Sequence, residues 1–104
     1  MRSRDVRRVF DLARPCRGTR LVLFLAPGSG RWTVVAGRRV GGAVNRNRAK
    51  RILREAWRQV PQQDTRGSDA VLVARESIRG ATTQDLVIEL TELCARRGGR
   101  DARP

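Results

Sequence analysis

The sequence contains no histidine and no tyrosine. That removes the commonest general base, the commonest zinc ligand and a phenolic acid together. Ser3, Ser29, Ser68 and Ser77 consequently have no imidazole to activate them as nucleophiles. Cysteine is limited to Cys16 and Cys94, too far apart for a metal or redox motif, and both are read as reduced thiols of a cytoplasmic protein. The only aromatics are Phe10, Phe24, Trp32 and Trp57, which form none of the motifs of the common single-strand RNA sheet modules. No apolar run approaches the roughly 20 residues needed to cross a bilayer. The first ten residues are Arg-rich but lack an apolar signal core. A presequence reading is opposed by Asp5 and Asp11, and by Val6, Val9, Phe10 and Ala13 recurring at helical spacing. Gly28-Ser29-Gly30 is followed by no Gly-Lys-Ser/Thr, so it is read as a hairpin turn and not a phosphate loop.

Acidic residues are scarce too. Ten Asp plus Glu face 23 Lys plus Arg in 104 residues, a formal net charge of +13. A compact body with that excess repels itself, so its natural partner is a polyanion. Lys50 is the single lysine; every other cation is arginine. Arginine's planar fork suits phosphate and guanine edges and stacks on bases, which favours nucleic acid. Charge alone fits an anionic membrane surface as well.

Periodicity predicts a helix over Ser3 to Arg14, stopped by Pro15. Leu21 to Leu25 is a short β-prone run ended by Pro27, and Trp32 to Ala36 reads as the strand returning from the hairpin. The clearest helix spans Asn45 to Val60. Ala49, Ile52, Leu53, Ala56, Trp57 and Val60 form its apolar stripe, and Pro61 closes it. Gln62 to Ser68 reads as a polar loop. Asp69 to Arg75 holds the run Ala70 to Ala74 without alternation and suits a strand buried on both faces. The last helix starts near Thr82, where Thr82 and Asp85 have capping-box spacing, and ends at Gly98-Gly99. The expected organisation is one α+β domain over residues 1–97 and a disordered tail over 98–104.

Two clusters carry possible chemistry. Asp85, Glu89 and Glu92 share a helical face, and three carboxylates suit Mg²⁺. Against that stands a plain solvated acidic face near a helix N-terminus, the reading preferred here. The stronger cluster is on the middle helix. Arg46, Asn47, Arg48, Lys50, Arg51, Arg54 and Arg58 occupy its polar side with only Glu55 against them. Solvated faces usually mix signs, because i, i+4 opposite-charge pairs stabilise a helix and like charges do not. Cations in the first turn also oppose the helix dipole. Such a conflict with local stability marks a binding surface. Arg38 and Arg39 extend the strip toward the start of the helix. Gly41 and Gly42 serve either a close backbone approach to phosphate or simply a turn.

The unbroken segment from Arg38 to Glu55 resembles the signature of the ribonuclease P protein subunit family. It carries a basic pair, Val40-Gly41, Ala43-Val44, Arg46-Asn47-Arg48, Lys50-Arg51 and Arg54-Glu55 in the family's order. The resemblance implies a small α-β sandwich, in the order helix, three strands, helix, strand, helix, with a left-handed βαβ crossover. The third early strand is then expected near Arg38 to Val44. It also implies that a large catalytic RNA, not the polypeptide, cleaves the 5′ leader from precursor tRNA with Mg²⁺ bound mainly by that RNA. No catalytic residue is expected in this chain. The implied RNA-binding residues are Arg38, Arg39, Arg46, Asn47, Arg48, Lys50, Arg51 and Arg54. Phe10 matches an aromatic position in the leader cleft, and Val6 stands where many members have a second Phe. The expected partners are the catalytic RNA subunit and precursor tRNA, with no membrane and no obligate protein partner. Rival readings are a ribosomal or other structural RNA-binding protein, and a self-sufficient metal nuclease using Asp85, Glu89 and Glu92.

Overall fold

A computed structural model describes residues 1–61 and 67–101. Helix α1 (Ser3–Leu12) is followed by strands β1 (Arg14–Arg17), β2 (Leu21–Pro27) and β3 (Trp32–Val35). Helix α2 (Ala43–Gln59), strand β4 (Ser68–Ala74) and helix α3 (Thr83–Asp101) complete the chain. The sheet order is β1-β2-β4-β3, antiparallel except for the parallel pair β3 and β4 that α2 connects. The α+β class and the helix and strand order match the expectation.

Two expectations about the sheet need correction. The third early strand is Arg14–Arg17, while Arg38–Val40 forms a 3₁₀ turn. A short segment with no hydrophobic alternation and a proline gives little strand signal. Pro15 is tolerated because β1 is an edge strand and needs fewer ladder donors. Pro15 also disfavours helical geometry at Arg14. Helix α1 accordingly ends at Leu12, two residues earlier than its periodicity suggested.

The second correction concerns Gly28-Ser29-Gly30, which does not close a hairpin. Strands β2 and β3 both pair with β4, which lies between them. The cause is Asp69, whose side chain is fully buried at the start of β4. Its Oδ1 accepts from the backbone amides of Ser29 and Arg31, each at 3.0 Å. Its Oδ2 accepts from Arg8 at 2.6 Å and from the Arg31 guanidinium at 3.1 Å. Amides that a hairpin would have turned across to its own strands thus converge on one carboxylate. Arg8 also donates to the Pro27 carbonyl, and Arg31 sits 3.4 Å from Asp5 in α1. The network fastens α1 to the sheet.

The main core lies on one face of the sheet. There Leu21, Leu23, Leu25 and Leu72 meet Ile52, Leu53 and Trp57 of α2 and Leu86, Leu90 and Leu93 of α3. On the other face only α1 packs, burying Val9 with Ala26 and Val71. Helix α3 begins with the expected reciprocal box. The Thr82 amide donates to Asp85 at 3.0 Å, and the Asp85 amide to Thr82 Oγ1 at 3.1 Å. The Thr82 amide, and then the Thr82 side chain, hold the Asp85 carboxyl below its ordinary value. The helix continues through Gly98-Gly99 to Asp101, so the glycine pair does not end it. Residues 62–66, in the expected polar loop, and 102–104, in the expected tail, lie outside the described residues.

Burial alone would raise the Asp69 carboxyl, but the amides of Arg31 and Ser29 and the Arg31 guanidinium outweigh it and hold it below its ordinary value. A depressed folded value contributes stability that is present above the unfolded value and lost as acid protonates the group. Asp69→Asn should therefore destabilise the fold by about 1–3 kcal/mol near neutral pH, as bonded donors lose a charged acceptor. Urea unfolding of both proteins checks this. Their difference should shrink as the pH falls below the ordinary carboxylate range; a constant difference would show that the charge is not what holds the turn.

Candidate nucleic-acid interface

Helix α2 is set on the sheet by Ala49, Ile52, Leu53, Ala56 and Trp57, all buried. Burial of a large apolar side chain is worth about 1.5–3 kcal/mol. A misplaced cation at a helix end costs about 0.3–1 kcal/mol. Packing therefore wins, and the helix forms despite Arg46 and Arg48 near its start. It begins at Gly42 with no side-chain cap and no acid in its first turn. Gly41 has a conformational role of its own. Its φ is +129°, and a Cβ there would come within 2.6 Å of Asn45 Nδ2, so the position turns the chain into the helix.

The predicted cations separate into two groups. Arg51 and Arg54 are exposed, Arg46 and Lys50 half-buried, and none has a carboxylate within 4 Å among the described residues. Asn47 is exposed beside them, and Arg38 and Arg39 stand exposed in the 3₁₀ turn before the helix. Arg48 differs. Its guanidinium donates to the Ala81 carbonyl at 2.6 Å, tying α2 to the segment before α3. Glu55, the one acid on this helix, accepts from Thr83 Oγ1 instead of neutralising an arginine. Arg58 lies over the Trp32 ring, 5.8 Å from its centroid, a cation–π contact at the far end of the strip.

The second surface is the sheet face that α1 only partly covers. Register places Arg17, Val22, Val73 and Val35 in one row across the strands, and Pro15, Phe24, Val71 and Thr33 in the next. Val22, Phe24, Val35 and Val73 are half-buried, giving an apolar floor. Phe10 projects from α1 at 41% exposure and meets Phe24 edge-on, with ring centroids 4.8 Å apart. Phe10 is thus not a core residue like its neighbour Val9. Val6 is half-buried in the small cluster under α1. The geometry is a trough with one exposed aromatic wall, suited to stacking an unpaired base.

The acidic face of α3 needs correction. Glu89 is not solvated; it is buried and accepts from the amides of Arg20 and Leu21 at 2.9 and 3.2 Å, with Arg20 Nη1 at 3.4 Å. Asp85 is occupied by its capping box. Among the described residues no group of three or more Asp, Glu, Cys or His is placed to hold a metal ion. Sequence reasoning missed Asp69 and the role of Glu89, whose long-range bonds have no local pattern. A charged residue opening the apolar run of β4 was the one available sign of the former.

The Ribonuclease P family model matches residues 1–98. The ribonuclease P protein component of Chloroflexus aurantiacus is 39% identical over 101 residues, covering 89% of this chain and 75% of that protein. That of Herpetosiphon aurantiacus is 37% identical over 86 residues, covering 80% and 70%. The match to that of Gluconacetobacter diazotrophicus is 42% identical over 66 residues, covering 62% of this chain and 57% of that protein. In three dimensions the chain is similar to the RNase P protein of Staphylococcus aureus, with TM-score 0.78, 19% identity and 93% and 92% of the two chains covered. It is also similar to that of Thermotoga maritima, with TM-score 0.76, 23% identity and 92% and 94% covered. At those identities the structural likeness speaks for the fold, whereas the family match spans nearly the whole sequence. With the Arg38 to Glu55 segment at the heart of that match, the chain belongs to the ribonuclease P protein family.

Proposed function

We propose that this chain acts as the cytoplasmic protein subunit of a ribonuclease P. In this reading it binds the catalytic RNA through α2 and the 5′ leader of precursor tRNA through the trough between α1 and the sheet, and so assists 5′ maturation of tRNA. The observation that carries the reading is the strip of Arg46, Lys50, Arg51 and Arg54, which has no carboxylate partner among the described residues. Desolvating such a strip against a protein surface would be costly; against phosphates it releases counterions. Arg38 and Arg39 lengthen the same contact, and Asn47 adds an amide able to pair with phosphate or base edges.

The chemistry of cleavage is assigned to the RNA and its Mg²⁺. The protein's part is positioning and charge. Phe10 offers its exposed face to a leader base, and Val6 supplies only bulk at the trough margin. Bringing cations to the RNA reduces the Mg²⁺ needed to hold its phosphates together. Cleavage of a precursor tRNA by a bacterial catalytic RNA at low Mg²⁺ tests this directly. Added protein should restore leader removal, and the absence of any gain would remove the proposal.

The two groups of cations on α2 give a sharper test. Arg51→Ala and Arg54→Ala should each weaken binding to the catalytic RNA and flatten the log–log salt dependence by about 0.7 to 0.9 per lost contact. Both should leave thermal unfolding unchanged. Arg48→Ala should lower the unfolding midpoint as well, because it releases the Ala81 carbonyl. Equal behaviour of all three would contradict the division.

Phe10→Ala should weaken binding of a precursor carrying a leader by about 1–3 kcal/mol and leave mature tRNA unaffected. Equilibrium binding of both RNAs to the reconstituted complex measures the difference.

A further inference from the structure

The turn between β1 and β2 is held from both sides. Its carbonyls at Arg17, Gly18 and Thr19 accept from Arg96, Arg75 and Ser77. Its amides at Arg20 and Leu21 donate to buried Glu89. Gly18 fits only because it has no Cβ, which would collide with the Glu89 carboxylate. Beside this turn opens a pocket of about 520 Å³, whose walls include Arg17, Thr19, Arg75, Glu92 and Arg96.

The charges around the pocket are unbalanced. Arg17, Arg75 and Arg96 have no carboxylate within 4 Å among the described residues. Glu89 is occupied by the turn and by Arg20. That leaves Glu92 as the one uncommitted acid on the wall. Arg75 and Arg96 are oriented by their bonds to the turn and keep their other N–H groups and full charge. Three guanidiniums around one opening, two of them oriented and only Glu92 left among the described residues to offset them, make a prepared anion site. No aromatic lines the pocket, so recognition of a stacked base is not what it offers. Arg75 also walls a smaller pocket of about 240 Å³ with Arg39, Ala74 and Glu76. The cationic path therefore continues to Arg39, just before α2.

We propose that the β1–β2 turn and the adjoining face of α3 form a third RNA contact, a cradle for the phosphodiester backbone of the catalytic RNA strand that continues past Arg39. The proposal rests on the reading of α2 as the docking helix for that RNA. Arg17 is the cleanest probe, since its backbone pairs in β1 and accepts from Arg96 while its guanidinium makes no internal hydrogen bond among the described residues.

The experiment measures binding of full-length protein to the catalytic RNA over a range of salt. Arg17→Ala should reduce the magnitude of the salt slope by about 0.7 to 0.9, and Arg17→Ala with Arg96→Ala by roughly twice that. Arg17→Ala should keep the wild-type melting temperature. Glu92→Gln should tighten binding. Arg54→Ala serves as the reporter for α2. If Arg54→Ala flattens the slope and the Arg17 and Arg96 variants do not, the cradle is overturned while α2 docking stands. If none flattens it, both fall. In a parallel arm inorganic phosphate is titrated into the free protein, followed by the Gly18 and Thr19 amide signals. Saturation by phosphate with an unchanged RNA slope in Arg17→Ala would identify a free-anion site and also overturn the cradle.

Discussion

One buried carboxylate decides how the sheet is threaded. Asp69 collects the amides of Ser29 and Arg31 and the guanidiniums of Arg8 and Arg31. A lone buried charge would be prohibitive, and four donors make it tolerable. With those amides committed to β4, the segment after β2 passes to the far side of β4 and runs parallel to it. A parallel pair needs a long crossover, and α2 supplies it. Helix α2 and the trough under α1 thus depend on the same contact. The first exists because β3 and β4 are parallel, the second because Arg8 and Arg31 bind α1 at that end of the sheet.

The fold and the binding surface pull in opposite directions along α2. Its buried side supplies most of the stabilisation, while its outer side gathers like charges that repel one another and oppose the helix dipole. Glu55 shows how little of that repulsion is relieved internally, because it accepts from Thr83 and approaches no arginine. Placing the cationic strip opposite a fully buried stripe lets burial absorb the cost. It also fixes the helix backbone, so little backbone entropy remains to be lost when a polyanion docks.

Local patterns were legible in the sequence and long-range ones were not. The α2 stripe, the Thr82–Asp85 box and the doubly buried β4 run each follow from spacing within a few residues, and the structure reproduces them. The pairing of strands did not follow. Gly28-Ser29-Gly30 has hairpin composition, and only the carboxylate 39 to 41 residues further on redirects it. Strand β1 was hidden because Pro15 and two arginines carry no alternation, and its existence depends on a neighbour to pair with. Glu89 looked like part of an acidic face because its partners, the Arg20 and Leu21 amides, lie far away in sequence. For the site, the helix strip was readable from α2 alone. The open side of the sheet, with Phe10 against Phe24, required knowing that α1 covers only part of it.

The near-exclusive use of arginine follows from the same economy of parts. Arg48, Arg75 and Arg96 each donate to a backbone carbonyl distant in sequence, at Ala81, Gly18 and Arg17. Each therefore stitches two elements together. A carbonyl takes one N–H without neutralising the charge, and a guanidinium has further N–H groups in a fixed plane. An ammonium can form the same first bond, but its remaining donors are not held in a fork that fits phosphate. Arginine thus serves as internal brace and external contact at once. In a chain with ten acids and a small core, internal ion pairs can satisfy few of the 23 cations. Carbonyl-braced arginines are how such a chain orders its surface while keeping its charge.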